Sequence, residues 1–196
     1  MNAAKSRRNA KALALLVASL GLYLAADLGT KEWALDNLAR ARAEKPPLCE
    51  PDARGRISYQ NAPLPSRPFI EGFIDLHYAE NCGAAFSMLG TAPAWLRALV
   101  FGGVGVAAAG IFLLMFIRGA GGPPFALAVP LILSGALGNL TDRVRHGFVV
   151  DFIQIDPRLF DYPTMNVADI WIAIGVALVV IDGFRKPRPP VEERSA

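Results

Sequence analysis

The stretch ALVFGGVGVAAAGIFLLMFI, residues 98–117, is followed after one arginine by GAGGPPFALAVPLILSGALGNLT, residues 119–141; their reading decides the fold. Neither run contains an Asp, Glu, Lys or Arg. A bilayer core about 30 Å thick takes roughly 20 mostly apolar helical residues. Both runs meet that length. A helix buried in a soluble bundle keeps a polar face, which these two runs lack. Two further charge-free runs lie outside them, Ala12 to Ala26 and Ile170 to Ile181. These reach a membrane span only by taking in Asp27 in one case and Asp169 with Asp182 in the other. The reading is therefore four transmembrane helices, at about 11–30, 95–117, 124–142 and 166–184.

Composition agrees. The chain has 196 residues, 53% hydrophobic and only 19% charged, with a mean hydropathy of +0.34. Ordinary soluble domains are about 25% charged. The length suits a single membrane-embedded domain over residues 1–196. A net charge of +3 from 20 basic and 17 acidic residues gives no reason to expect a nucleic-acid partner. The first run has a basic lead-in (Lys5, Arg7, Arg8, Lys11), as a signal peptide does. No clear small-x-small cleavage site follows, and the helical pattern continues through Asp27 and Lys31, so a retained helix is expected.

Basic residues near helix ends set the orientation. The N-terminal segment, the turn at Arg118 and the tail 185–196 carry them, and all three fall on one side of a four-helix topology. That side is read as cytoplasmic. The other side receives a long loop, about 32–93, and a shorter one, Arg143 to Met165. Within the long loop, Glu32 to Glu44 reads as a short amphipathic helix lying on the membrane surface, stopped by Pro46 and Pro47. The runs FIEGFIDLHY and AAFSML, between Phe69 and Leu89, read as short strands broken at Asn81-Cys82-Gly83. The expected fold class is thus an all-α integral membrane protein. It has four transmembrane helices, a small periplasmic β-sheet and a surface amphipathic helix in the first outer loop. Both cysteines, Cys49 and Cys82, lie in that loop, where a disulfide and free thiols are equally compatible with an oxidising setting.

Ionisable groups in membrane helices are costly, and each calls for an explanation. Asp27 and Lys31 stand four apart near the end of the first span. Asn139, Asp142 and Arg143 share one face of the third. Asn166 and Asp169 share one face of the fourth. Asp151 lies between the third and fourth, inside the apolar run Phe148 to Ile153. Snorkelling or pairing at helix ends accounts equally well for Asp27, Lys31, Asp142 and Arg143. It fits Asp151 and Asp169 less well, since these are carboxylates in apolar segments with no adjacent base. Brought together, they would share a proton, one activating water and the other polarising a carbonyl. Other chemistries lack their patterns: no G-x-S-x-G, no zinc-ligand spacing and no phosphate-binding loop occurs. A proton-coupled transporter using the same two carboxylates, or a non-catalytic assembly subunit, remains as an alternative.

The blocks NCGAAF (81–86), GALGNLTDRVRHGFVVDFI (135–153) and MNVADI (165–170) resemble the signatures of bacterial lipoprotein signal peptidase, the type II signal peptidase. DLGTK (27–31) is similar to the family's D-x-x-T-K. Cys82 stands where the family usually has Thr. The resemblance implies a membrane aspartic endopeptidase that removes the signal peptide from diacylglyceryl-modified prolipoproteins, cutting before the lipidated cysteine. It implies Asp151 and Asp169 as the catalytic dyad. It also implies Asn81, Gly83, Asn139, Asp142, Arg143 and Asn166 around the substrate, with Asp27 and Lys31 as a supporting polar pair. No metal or organic cofactor is implied. The implied partners are prolipoprotein substrates, membrane lipids and globomycin-type inhibitors. The implied location is the bacterial inner membrane, with both termini cytoplasmic and the site near the periplasmic face.

Overall fold

The computed structural model describes residues 3–39, 66–82, 94–156, 158 and 163–185. Among the described residues there are four helices: α1 (Ala3–Asn37), α2 (Ala94–Ile117), α3 (Pro123–His146) and α4 (Val167–Gly183). Two of them, α1 and α3, are long and apolar enough to cross a membrane, and α2 adds the apolar segment Gly103–Ile117. Large apolar side chains point outward along the helices, among them Leu15 and Leu22 on α1, Ile111 and Ile117 on α2, and Val180 and Ile181 on α4. Such outward faces suit a surrounding apolar solvent.

The helix boundaries follow local chemistry. Prolines 123 and 124 open α3, where their missing N–H groups cost nothing. Gly147, at φ 81°, closes it by donating its N–H to the Arg143 carbonyl, the left-handed closure that glycine adopts without strain. Arg143, Arg145 and His146 in the last turn complement the negative end of the helix dipole. At the other end, α4 begins with a reciprocal capping box between Asn166 and Asp169.

One expected boundary is corrected. Glu32 does not start a separate surface helix; α1 runs unbroken to Asn37. No breaker separates the two segments, and a buried stripe continues along the helix through Asp27, Lys31, Ala34 and Leu38. The last turns have something to cover: Ala34 and Leu38 pack with Tyr78, Val150 and Phe152. The remainder of the expected surface helix, 40–44, lies outside the described residues, as does the run AAFSML.

The small sheet is present and, among the described residues, has three antiparallel strands, β1 (Arg67–Ile70), β2 (Ile74–Asn81) and β3 (Val149–Ile155), in that order. Gly72, at φ 71°, makes the β1–β2 turn. The apolar run after α3, read as loop, is strand β3. Its first four residues are all buried, so it lacks the alternation that marks a strand with one wet face. The register sets Ala79 opposite Asp151 and Asn81 opposite Val149. Met165 adds a bridge to Ile153 on the far side of β3.

Small residues let α3 and α4 approach closely. A Cβ on Gly175 would stand 2.6 Å from Ile132 Cγ1, and one on Gly135 2.6 Å from the Ala168 carbonyl oxygen. Below this contact an apolar cluster forms from Leu16, Ala109, Phe125, Val129 and Leu133. Above it the interior turns polar.

Candidate active site

Two elements deliver the two carboxylates. Asp151 sits on β3, 2% exposed, directly after the turn that leaves α3. Asp169 is the third residue of α4, where the capping box fixes its side chain. Its own N–H donates to Asn166 Oδ1 at 3.1 Å, and the Asn166 N–H donates back to Asp169 Oδ2 at 3.3 Å.

Asparagine amides join the pair. Asn166 Nδ2 donates to Asp151 Oδ1 at 2.7 Å, so one residue is hydrogen-bonded to both carboxylates. Asn81, at the end of β2, donates Nδ2 to Asp151 Oδ2 at 3.0 Å. Asn139 on α3 donates Nδ2 to Asp169 Oδ1 at 2.9 Å, while its Oδ1 accepts from Asn166 Nδ2 at 3.2 Å. Each oxygen of the two carboxylates therefore accepts from at least one oriented donor.

Burial, and then the charge of Asp169, push the Asp151 carboxyl up to about 7. The amides of Asn81 and Asn166 and the Lys31 charge act in the opposite direction. A carboxylic acid so placed holds a proton near neutral pH beside a second carboxylate. Arg143 donates Nη1 to the Asn139 carbonyl at 3.0 Å, and its charge acts on Asp151, Asp169 and Asp142.

A second polar layer lies behind. Lys31 Nζ is 2.9 Å from Asp27 Oδ2 and 3.1 Å from Asp142 Oδ2, and it donates to Asn139 Oδ1 at 2.9 Å. The Asp27 contact lies outside hydrogen-bond geometry, so that oxygen is held by charge. All three charged side chains are at most 3% exposed. Both carboxylates also reach backbone: Asp27 Oδ1 accepts from Ala168 N at 2.8 Å, and Asp142 Oδ2, the oxygen that meets Lys31, accepts from Val150 N at 3.0 Å. Buried and charge-paired, Asp27, Lys31 and Asp142 are not snorkelling charges at helix ends.

The structure thus brings together Asp27, Lys31, Asn81, Asn139, Asp142, Arg143, Asp151, Asn166 and Asp169. Gly83 lies outside the described residues. Cys82, next to Asn81, is disulfide-bonded, and the other half of that bond lies outside the described residues. Sequence spacing did not reveal Gly138. A Cβ there would stand 2.1 Å from Asp27 Oδ2, so only glycine leaves room for that carboxylate between α3 and α4. Among the described residues, no group of three or more His, Cys, Asp or Glu is arranged to hold a metal ion.

The chain is a helical protein with two carboxylates brought together at one end of its bundle, one of them buried, and comparison with known proteins says what class this is. A sequence model of the signal peptidase (SPase) II family matches residues 19–185. The lipoprotein signal peptidase of Ralstonia nicotianae is 47% identical over 123 residues, 63% of this chain and 70% of its own length. That of Syntrophus aciditrophicus is 39% identical over 124 residues, 63% of this chain and 77% of its own. A solved structure titled as a bacterial membrane enzyme at 1.9 Å resolution shares the fold, with TM-score 0.64 and 23% identity, over 89% of this chain and 95% of that one. The chain belongs to the signal peptidase II family and is a membrane protease.

Proposed function

We propose that this chain is an aspartic endopeptidase that cuts diacylglyceryl-modified prolipoproteins just before the lipidated cysteine. The observation that carries the reading is Asn166, hydrogen-bonded to both Asp151 and Asp169. It ties the buried carboxyl of Asp151, which holds a proton near neutral pH, to the half-buried one of Asp169.

In this reading the dyad works as a unit sharing one proton. The ionised carboxylate takes a proton from water, and the resulting hydroxide attacks the scissile carbonyl carbon. The protonated carboxyl donates to the carbonyl oxygen as it gains charge. The tetrahedral intermediate then expels the amine of the lipidated cysteine, which takes a proton from the dyad. Arg143 offers its guanidinium to substrate backbone carbonyls or steadies the carboxylates, a role supported by its electrostatic reach to both.

The four helices cross the bacterial inner membrane, with both termini in the cytoplasm. Support comes from the basic residues Lys5, Arg7, Arg8, Lys11 and Arg118 at one end of the bundle. The dyad lies at the opposite end, beyond the last turn of α3 and in the first turn of α4. A bond between a signal helix and a lipid-anchored cysteine lies at that boundary. The acyl chains stay in the bilayer while the peptide enters between helices, with the outer sheet above it.

The test is complementation. The parent chain restores prolipoprotein processing, followed by gel mobility, in cells lacking lipoprotein signal peptidase. Asp151→Asn and Asp169→Asn, expressed at the parent level, leave the precursor uncut. Processing that persists in either variant removes that residue from the dyad.

A further inference from the structure

The two residues that directly precede the dyad aspartates are held in the same way. Ala168, before Asp169, donates its N–H to Asp27 Oδ1, and Val150, before Asp151, donates its N–H to Asp142 Oδ2. The two accepting carboxylates come from different helices, α1 and α3. Lys31 Nζ lies between their remaining contacts, 2.9 Å from Asp27 Oδ2 and 3.1 Å from Asp142 Oδ2. The chain therefore contains a second pair of carboxylates behind the first, joined by one ammonium. Each member of the rear pair grips the backbone one residue ahead of a member of the front pair.

We infer that Lys31, with Asp27 and Asp142, is a positioning strut that sets the separation of Asp151 and Asp169 through the backbone amides of Val150 and Ala168. The inference rests on the dyad reading above and adds the device that spaces the dyad. Strand β3 and helix α4 belong to different layers, and of the dyad only Asp169 is fixed by its own element's start. Asn166 ties the two side chains, and the backbone behind each is held separately, at Val150 and Ala168. Three features suit Lys31 to joining those two holds. An ammonium has three donors and no acceptor, so it faces three oxygens at once, here Asp27 Oδ2, Asp142 Oδ2 and Asn139 Oδ1. It is buried in a low-dielectric interior, where such contacts are stiff. And Gly138 leaves the space in which Asp27 reaches across to α4. The third contact extends the strut forward, since Asn139 in turn donates to Asp169.

The charged groups acting on Asp151 are Lys31 from α1, Arg143 from α3 and Asp169 from α4; from β2 it meets the uncharged amide of Asn81. Lys31 draws the Asp151 carboxyl down. Its removal moves the alkaline limb of the pH–rate profile upward, because the dyad keeps its proton to higher pH.

The experiment measures cleavage of a lipidated prolipoprotein substrate by the purified full chain in detergent. It compares the parent with Lys31→Met, with Lys31→Arg and with the triple variant Lys31→Met, Asp27→Asn, Asp142→Asn. The triple variant keeps an oxygen for each backbone N–H and removes the buried charges together. Rates are taken per folded molecule, after gel filtration and thermal unfolding. Lys31→Met is expected to lower kcat about 30-fold or more, since a misplacement near 1 Å costs on the order of 100-fold. KM stays within about threefold, and the alkaline limb shifts up. The triple variant recovers thermal stability but not kcat. A folded Lys31→Met with parent kcat and pH profile overturns the strut, as does a triple variant whose kcat returns with its stability. If neither folds, Lys31→Arg decides, because its planar fork cannot place one donor centre among the same three oxygens: parent kcat there overturns the strut. Asp151→Asn run alongside separates the two ideas. If it turns over, the dyad reading fails; if it is dead while Lys31→Met is unchanged, the strut fails alone.

Discussion

The two halves of the helix bundle are built from the same helices and held by opposite means. In the lower half, α3 presents Phe125, Val129 and Leu133 to Leu16 of α1 and Ala109 of α2. In the upper half the same helix presents Asn139, Asp142 and Arg143 to Lys31, Asp151 and Asp169. Lipid tails are as apolar as leucine, so the lower half gains little from hiding apolar surface and relies on close fit. The upper half relies on directed hydrogen bonds and paired charges, whose geometry is less forgiving than an apolar contact. A polar interior specifies positions; an apolar one tolerates substitution. The proposed chemistry sits where the positions are specified.

The sharpest break of that contrast is Asn166→Ala. It removes the amide donor to Asp151, the link to Asn139 and the N-cap of α4. Turnover is expected to fall at least about 100-fold, in the range seen when one donor to a reacting charge is deleted. Stability falls by only about 1 kcal/mol, the usual cost of a lost cap. Assays of kcat beside thermal unfolding check it; a rate loss that merely follows the unfolded fraction would place Asn166 in the scaffold.

Two glycine substitutions set the halves against each other directly. Gly138→Ala drives a methyl into Asp27 Oδ2, at 2.1 Å, and displaces that carboxylate from Ala168. Gly175→Ala meets Ile132 Cγ1 at 2.6 Å, in the lower half. Both overpack and cost about 1–3 kcal/mol of stability. Only Gly138→Ala is expected to lower kcat per folded molecule, by roughly 10-fold or more given the sensitivity of catalysis to small displacements. Equal kcat losses from both would mean that the upper half has no special demand on geometry.

The legibility of the chain in its sequence follows the same division. Charge-free runs showed the helices because the bilayer selects on length and apolarity alone. Asp151 and Asp169 stood out because a carboxylate in an apolar run is expensive. Strand β3 was not legible, since Val149 to Phe152 are buried on both faces and lose the alternation of a strand. The run of α1 past Lys31 was missed because Glu32, Asp36 and Asn37 look like the wet face of a separate surface helix. Their neighbours Ala34 and Leu38 are covered by a sheet whose third strand comes from a hundred residues further on. The grips of Asp27 on Ala168 and of Asp142 on Val150 were likewise invisible, because the accepting partner is a backbone N–H, which every residue but proline carries.

Asp151 gives the comparison a pH axis. Its carboxyl rises to about 7 in the folded chain, against an ordinary value near 3.9. The folded state thus holds a proton that the unfolded chain releases, and stability falls as pH rises between those values. Asp151→Asn has no such proton. Relative to the variant, the parent is expected to lose about 2.5 kcal/mol between pH 5 and pH 8. Parallel unfolding curves across that range check it. A parent and variant whose difference stays flat with pH would show that Asp151 is ionised throughout.

The smallest expected effect lies at the far end of the bundle. Asp182 ends α4, where the helix dipole disfavours a negative charge. The sequence shows it only as a flank of the last apolar run. In the fold it accepts the Gly122 N–H at 2.9 Å, tying the α2–α3 turn to the end of α4, and a Cβ on Gly122 would stand 2.7 Å from Asp182 Oδ1. Asp182→Asn keeps an oxygen for that N–H and removes the charge, two changes that offset, so stability should move by less than about 0.5 kcal/mol. Asp182→Ala loses the hydrogen bond and should cost about 1 kcal/mol. Neither is expected to change kcat, because α3 separates Gly122 from the dyad by its full length, about 36 Å at 1.5 Å per residue. Unfolding in detergent measures the first effect and substrate turnover the second. A kcat loss in Asp182→Ala alone would show that the tie at this end is felt along α4 at Asp169, and that the two halves are mechanically one.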